Sequence, residues 1–215
     1  MPSCELDHIV IGAATLEDGV RFIREMLGVD IPPGGKHPLM STHNHLMRLG
    51  DSAFLEVISL DPDAPPPGRP RWFDLDDPQM RARLAQKPRV ITWVIRSSDI
   101  AATVHGAAYP PGEITPVQRD ALSWRLTVPG DGHIPGDGVL PHVIQWDNGA
   151  RPWERMADLG CHLDALVLSH PDPAGIEARL RSVGAGEIAG LHVKAAEAPG
   201  LQLRILTPSG TTATL

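Results

Sequence analysis

A histidine and a glutamate interrupt two otherwise apolar segments of this chain. His8 lies within residues 6–11, and Glu56 lies within residues 54–58. Side chains of a strand alternate between its faces, so a polar residue in mid-strand points either to water or into a cavity. Buried carboxylates need a partner or a cation. Together the two residues have the chemistry to hold a divalent metal. Taken singly, Glu56 is better explained as a solvent-facing residue and His8 as a core histidine.

The segments between these residues predict the elements that position them. Thr15 to Asp18 form a capping-box pattern, apolar residues follow at helical spacing to Leu27, and Gly28 suits a helix end. We expect a Pro/Gly-rich loop at 31–38 and then two strands, at 42–49 and 53–60. His8 therefore belongs to the first strand of a strand–helix–strands unit, and Glu56 to its last strand.

The same order recurs along the chain, and internal repeats fix architecture. A second copy has strands at 89–95, near 116–118, at 122–128 and at 140–146, with a helix at 100–108. A shorter third copy has a strand from 163, a helix opening at 172, and strands at 191–195 and 201–207. We predict an α+β fold of repeated βαβββ modules whose curved mixed sheets enclose a cavity. The predicted divisions are region 1–156, with modules at 5–60 and 89–147, and a partial third module at 157–215 packed in the same unit.

Three motifs resemble the vicinal oxygen chelate superfamily, in its glyoxalase-like domain branch. They are Leu6-Asp7-His8-Ile9-Val10, Thr42-His43-Asn44-His45-Leu46-Met47-Arg48-Leu49-Gly50 and Leu140-Pro141-His142-Val143-Ile144-Gln145-Trp146. The resemblance implies paired modules around a cavity in which a divalent metal (Zn, Ni, Mn or Fe) chelates adjacent substrate oxygens. It covers isomerases, lyases and dioxygenases, and also metal-free binding proteins of the bleomycin-resistance kind.

Alignment of the modules to this family implies a metal-ligand set. Module one supplies His8 and Glu56, whereas module two offers Trp93 and Gln145 at the matching positions. An indole nitrogen only donates, so Trp93 cannot ligate, but the amide oxygen of Gln145 can. The implied metal ligands are His8, Glu56 and Gln145, and three protein ligands plus water make a workable catalytic site.

The strand at 42–49 carries polar residues on both faces. His43 and His45 share one face, and Thr42 and Asn44 share the other. If the histidines line the cavity, they join Glu56 as candidate acid–base catalysts. If the other face lines it, Asn44 is a ligand-binding residue and the histidines are on the surface.

Aromatic and basic residues supply further candidates for ligand binding. Trp93, Trp124 and Trp146 are expected to form an apolar wall for a flat ligand, and core packing is the alternative role for each of them taken singly. Arg48, like Arg119 and Arg125, is a candidate anchor for an anion.

Composition limits the function classes. A net charge of −7 over 215 residues argues against nucleic-acid binding. No apolar run approaches the length of a membrane span and no signal-peptide pattern is present, so we expect a cytoplasmic protein without a membrane partner. An unpaired edge in the third module predicts either packing on the first two modules or a homodimer. The insertion at 61–88 is either an external link or a lid over the cavity.

Two functions are compatible with these observations. The first is a metal-dependent, small-molecule enzyme of glyoxalase-like type, with isomerase, lyase or dioxygenase chemistry. The alternative is a metal-free protein that binds or sequesters a flat, apolar small molecule.

Overall fold

The computed structural model describes residues 4–215, so the first three residues of predicted region 1–156 lie outside it. The chain forms a mixed α+β structure with two sheets, which confirms the predicted fold class. Eight strands form the large sheet in the order β2-β3-β4-β1-β5-β8-β7-β6, and its edge strands β2 and β6 contact each other. The sheet therefore curves into a nearly closed barrel. The strands are β1 (Glu5–Gly12), β2 (Pro33–His37), β3 (Thr42–Leu49), β4 (Ala53–Leu60), β5 (Arg89–Arg96), β6 (Glu113–Arg119), β7 (Leu122–Val128) and β8 (His142–Trp146).

Four helices and a second, four-stranded sheet complete the structure. The helices are α1 (Leu16–Leu27), α2 (Pro78–Gln86), α3 (Ile100–Gly106) and α4 (Pro173–Ser182). The second sheet has the order β10-β9-β11-β12, built from β9 (His162–His170), β10 (Leu191–Ala195), β11 (Gly200–Leu206) and β12 (Thr212–Thr214). No helix within residues 4–215 is long and apolar enough to cross a membrane.

Helix α1 follows from local chemistry. The Thr15 hydroxyl accepts the Asp18 N–H at 3.1 Å, which satisfies one of the free donors of the first turn. Gly28 ends the helix with a φ of 71°, a left-handed conformation that glycine adopts without strain. The predicted helix is confirmed, and its buried face holds it against the outer side of the large sheet.

The two faces of the large sheet pack into separate apolar clusters. The inner cluster fills the barrel and includes Val10, Ile58, Val94 and Ile144. The outer cluster lies between the sheet, helices α1, α3 and α4, and the second sheet, and it includes Ile9, Leu55, Trp93, Val143, Leu166 and Leu203. Neighbouring residues of one strand fall in different clusters because strand side chains alternate.

The chain after residue 157 differs in wiring from the first two modules. In those modules the first strand pairs in parallel with the last, β1 with β4 and β5 with β8. In the second sheet, β9 pairs in parallel with β10, the strand directly after the helix. This wiring differs from that of the first two modules, but β9, α4 and β10 form a βαβ unit, and this unit packs on the outer cluster. Homodimer formation stays a prediction.

Strand β2 corrects the predicted loop at 31–38. Its Pro/Gly composition is typical of a turn, but Pro33 is tolerated at the start of an edge strand. A Cβ atom on Gly34 would lie only 2.2 Å from Oδ1 of Asn44. Glycine is required here because β3 brings a polar side chain against the β2 backbone.

The insertion at 61–88 packs into the inner cluster, so it is not a purely external link, and its role as a lid stays a prediction. Trp72 and Phe73 are almost fully buried in the inner cluster, together with Met80 and Leu84 of α2. Asp74 then fixes the adjoining loop, since its carboxylate accepts the Ile134 N–H at 3.3 Å. The insertion is thus part of the barrel core.

Candidate functional site

A small cavity lies on the inner side of the large sheet. Polar side chains from five strands meet apolar and aromatic ones there, an arrangement typical of small-molecule sites. The lining residues are His8, His37, Asn44, Leu46, Phe54, Glu56, Trp72, Phe73, Arg119, Trp124, Leu126, Ile144, Trp146 and Met156.

His8 enters this cavity with its orientation fixed by a buried carboxylate. Asp7 is fully buried, and its Oδ1 lies 2.6 Å from Nδ1 of His8. The register with β5 shifts between Leu6 and His8, so Asp7 occupies a β-bulge and reaches the side of its neighbour. The second Asp7 oxygen accepts the Trp146 indole N–H at 2.9 Å. Because a carboxylate only accepts, Nδ1 of His8 carries a proton, and Nε2 is the nitrogen that faces the cavity.

Glu56 faces the free nitrogen of His8. Its Oε2 lies 3.6 Å from Nε2 of His8, and its Oε1 accepts the Asn44 amide N–H at 2.6 Å. The Asn44 carbonyl accepts the Gly35 backbone N–H at 2.9 Å, which fixes the amide so that its nitrogen points to Glu56. A buried carboxyl group needs a hydrogen-bond donor, and Asn44 supplies that donor to Glu56.

His37 and Arg119 complete the polar side of the cavity. Burial lowers the pKa of His37 to about 4, against a smaller opposing effect of Glu56, so the ring is neutral near pH 7. Its Nε2 lies 3.4 Å from a guanidinium nitrogen of Arg119, which lies at the same distance from Oδ1 of Asn44. Both contacts are long, and Arg119 therefore keeps donors for a ligand.

Aromatic rings form the remaining wall. Phe54 stacks on His8 with ring centroids 4.5 Å apart. Trp124 and Trp146 lie 5.1 Å apart, and Trp72 meets His37 edge-on at 5.1 Å. This wall offers apolar area to a flat or branched group beside the polar side chains.

The structure brings together half of the residues singled out in the sequence. His8, Glu56, Asn44, Trp124 and Trp146 all line the cavity, so the Asn44 face of β3 points inward. The other candidates lie elsewhere, and they are His43, His45, Arg48, Trp93 and Gln145.

Three of these corrections concern β3. His43 contacts the Ser59 hydroxyl at 2.9 Å, and His45 contacts the Ile31 carbonyl at 2.7 Å, both on the outer side of the strand. Arg48 donates to the Gly50 carbonyl at 3.0 Å in the β3–β4 turn. Neither histidine can act as the acid–base group of this cavity, and Arg48 cannot anchor its ligand.

The other two corrections have one cause, an error of one residue in aligning the second module. Trp93 packs in the outer cluster and donates to the Val139 carbonyl at 3.3 Å. Gln145 accepts the Ile100 N–H at 2.9 Å and so caps α3. Val94 and Ile144 hold the inward positions instead. A one-residue shift moves every side chain of a strand to the opposite face.

The donor set does not fit a resident catalytic metal. His8 and Glu56 supply two ligands, but module two offers only the apolar Val94 and Ile144. Among residues 4–215 no group of three His, Cys, Asp or Glu side chains converges. A catalytic zinc site keeps three protein ligands, and the charge of Arg119 in the same cavity opposes a cation.

Asp7 and His37 are polar residues of the site that the sequence analysis missed. Strand alternation predicts that Asp7 points away from the cavity, and the Pro/Gly-rich composition around His37 predicts a loop instead of strand β2. Arg119 was noted only as a possible anion anchor. The one signal for Asp7 was an acidic residue directly before His8 in an apolar segment.

Comparisons with known proteins agree on the fold. The sequence model of a family described as glyoxalase-like domain matches residues 6–184. No curated protein sequence matches the chain. A hypothetical protein from Staphylococcus aureus is 10% identical in sequence with a TM-score of 0.62, and the match covers 98% of both chains.

Two further solved structures are more remote in shape. A variant of methylmalonyl-CoA epimerase from Streptomyces coelicolor is 17% identical, with 67% of this chain and 98% of that chain covered and a TM-score of 0.40. A variant of 4-hydroxymandelate synthase from the same organism is 14% identical, with 100% of this chain and 63% of that chain covered and a TM-score of 0.46.

Proposed function

The chain belongs to the glyoxalase-like domain family, and on this premise we propose that it is an enzyme that moves a proton at a carbon next to a carbonyl group of a small molecule. The observation that carries the proposal is the Asp7–His8 pair, whose free imidazole nitrogen faces Glu56 inside an aromatic-lined cavity. A histidine oriented by a buried carboxylate is an arrangement that supports general-base catalysis.

His8 is the proposed base. Its Nε2 takes the proton from the substrate carbon, and the electron pair of the broken C–H bond moves into the carbonyl to form an enolate. Asp7 accepts from Nδ1 and stabilises the imidazolium that results. Glu56 lies 3.6 Å from Nε2, so it is a second site that can take up or return the proton.

Arg119 is the proposed partner of the enolate oxygen. Its guanidinium enters the cavity, and its two polar contacts there are 3.4 Å long. Donors aimed at a developing oxyanion are usually the largest electrostatic contribution to catalysis. Return of the proton to a different face or atom gives an isomerase, and loss of a leaving group from the enolate gives a lyase.

The donor set favours these two reactions over a dioxygenase. Chemistry with O₂ relies on a metal or an organic cofactor. His8 and Glu56 are two ligands short of the paired-module metal site implied by the resemblance, so no step of this proposal uses Zn, Ni, Mn or Fe.

A binding protein without catalysis is the second candidate function. The aromatic wall favours this function, because it can bind a flat apolar ligand without any catalytic role for the polar residues. The wall consists of Trp72, Trp124, Trp146 and Phe54. The two functions differ in turnover, which a proton-exchange experiment measures directly.

The test is hydrogen–deuterium exchange in D₂O with small acids that carry a ketone or thioester beside a C–H bond. We expect the wild type to exchange that hydrogen in at least one such compound, and His8→Gln to abolish the exchange. His43→Gln is the matched control, because this histidine lies outside the cavity and should be dispensable. Tight binding of a compound without hydrogen exchange would contradict the proposed enzyme and support the second candidate function, a binding protein.

A further inference from the structure

A second concave surface adjoins the cavity. We name it the outer groove, and Leu46, Arg119 and Met156 line both it and the cavity. Its remaining wall comes from the start of β2, the β6–β7 turn and the segment 148–157, so it lies where the two modules meet. A ligand that passes these three residues reaches the groove directly from His8 and Glu56.

The outer groove is positively charged in an otherwise acidic protein. Arg119, Arg151 and Arg155 line it, against a single carboxylate, that of Glu154. Arg151 is 3.4 Å from that carboxylate, so this pair partly cancels. Among residues 4–215, neither Arg119 nor Arg155 lies within salt-bridge distance of an acid. A chain with a net charge of −7 has concentrated free guanidinium groups at the entrance to its cavity.

We propose that the substrate has two parts, a compact carbonyl-bearing head in the cavity and an anionic tail in the outer groove. The tail carries phosphate or carboxylate groups, because the planar fork of arginine pairs with both. Arg119 lies at the junction, where it can contact the head as well as the beginning of the tail. This inference rests on the proposed function, since it describes the substrate of the same site.

The shape of segment 148–157 supports the assignment. Asn148 and Gly149 both have positive φ values, 54° and 65°, and this turn directs the chain along the groove. Trp153 then holds the segment in place, because it is buried and the Arg96 guanidinium lies 4.3 Å from its ring centroid. Arg151 and Arg155 flank this anchor, and both side chains remain exposed to the groove.

The test uses pyrophosphate and citrate as probes of the groove alone, titrated into the protein by calorimetry at low ionic strength. The test variant is Arg151→Gln with Arg155→Gln, and the control is Arg81→Gln with Arg179→Gln, which removes the same charge outside the groove. We expect one or both anions to bind, the test variant to weaken binding about tenfold or more, and the control to change it less than twofold. The stronger of the two anions identifies a phosphate or a carboxylate tail.

Absence of binding, or equal weakening in both variants, would overturn the inference, since it would mean that only general charge attracts the anion. The titration involves no turnover, so this outcome leaves the proton-transfer proposal standing. Conversely, if the protein binds the anion in the groove but exchanges no substrate hydrogen, the anion-binding inference stands and the proton-transfer proposal is wrong.

Discussion

Asp7→Asn is the substitution that tests the proposed chemistry most directly. The two side chains have the same shape, but an amide has one accepting oxygen where the carboxylate has two. In the wild type both oxygens accept, one from Nδ1 of His8 at 2.6 Å and one from the Trp146 indole at 2.9 Å. The indole is a donor only, so in the variant it takes the amide oxygen. The amide N–H₂ then faces Nδ1 of His8.

That reversal changes the tautomer of His8. Nδ1 must now accept, so the ring proton moves to Nε2, the nitrogen that faces Glu56 in the cavity. An imidazole protonated at Nε2 cannot take a proton from a substrate there. The same substitution in the serine-protease triad lowers kcat by about 10⁴. We expect the exchange rate of Asp7→Asn to fall by about 10³ to 10⁴, with a loss of stability of about 1–3 kcal/mol.

Two measurements separate positioning from simple damage. Nitrogen NMR of His8 should report a proton on Nδ1 in the wild type and on Nε2 in Asp7→Asn, an outcome that a merely structural role would not produce. Trp146→Phe is the control for the NMR measurement, because it removes one donor to Asp7 and should leave the proton on Nδ1 of His8. Exchange by Asp7→Asn within tenfold of the wild type, in a variant that folds, would refute the assignment of His8 as the base.

Three further predictions concern acid stability, metal binding and the second strand. Burial lowers the pKa values of His37 and His142 to about 4 in the folded protein. Between about pH 6.5 and pH 4 the unfolded chain therefore binds more protons than the folded protein, and the free energy of unfolding falls by roughly 3 kcal/mol per histidine across that window. Urea unfolding at pH 7 and pH 4.5 should show this loss, and His142→Gln, but not exposed His192→Gln, should reduce it. Protein purified without chelators should contain substoichiometric metal, whether or not His8 and Glu56 are replaced by alanine. In calorimetry, Val94→His with Ile144→Glu should create tight Zn²⁺ binding, whereas Trp93→His should not. Tighter Zn²⁺ binding by Trp93→His would instead support the alignment that places Trp93 at the metal-ligand position. Gly34→Ala should cost about 1–3 kcal/mol in denaturant unfolding, because its Cβ would meet Oδ1 of Asn44 at 2.2 Å, and an unchanged midpoint would contradict that close approach.

The elements that the sequence predicts correctly are those with strong local signals. Helix α1 has a capping residue, an apolar face and a C-terminal glycine, and strands β3 and β4 match their predicted bounds of 42–49 and 53–60. Strand β2 has no such signal, because glycines selected for a close backbone approach look the same in a sequence as glycines selected for a turn. His37 was missed with it, since a residue in a presumed loop gives no reason to expect a place in the barrel.

The positions of the site residues depend on register, which local patterns determine poorly. Between its terminal arginines, β5 is apolar or tryptophan at every position except Thr92, so the sequence offers no charged residue in mid-strand that would show which face is inside. The alignment by similarity put Trp93 opposite His8, and the pairing of His8 with Val94 shows that the inner residue is the next one along the chain. Strands buried on both faces carry no alternation from which to read their orientation.

Asp7 and His8 show the same limit in a form that bears on function. Strict alternation places adjacent residues on opposite faces, and under that rule Asp7 would lie in the outer apolar cluster, where an isolated carboxylate is prohibitively unstable. The bulge between Leu6 and His8 removes the contradiction, because it lets both side chains reach the inner side and contact each other. Bulges recur beside active sites, where they redirect a side chain at the expense of one ladder hydrogen bond. An acidic residue that alternation would place in an apolar core is therefore evidence for a bulge, and here the bulge supplies the residue that orients the proposed base.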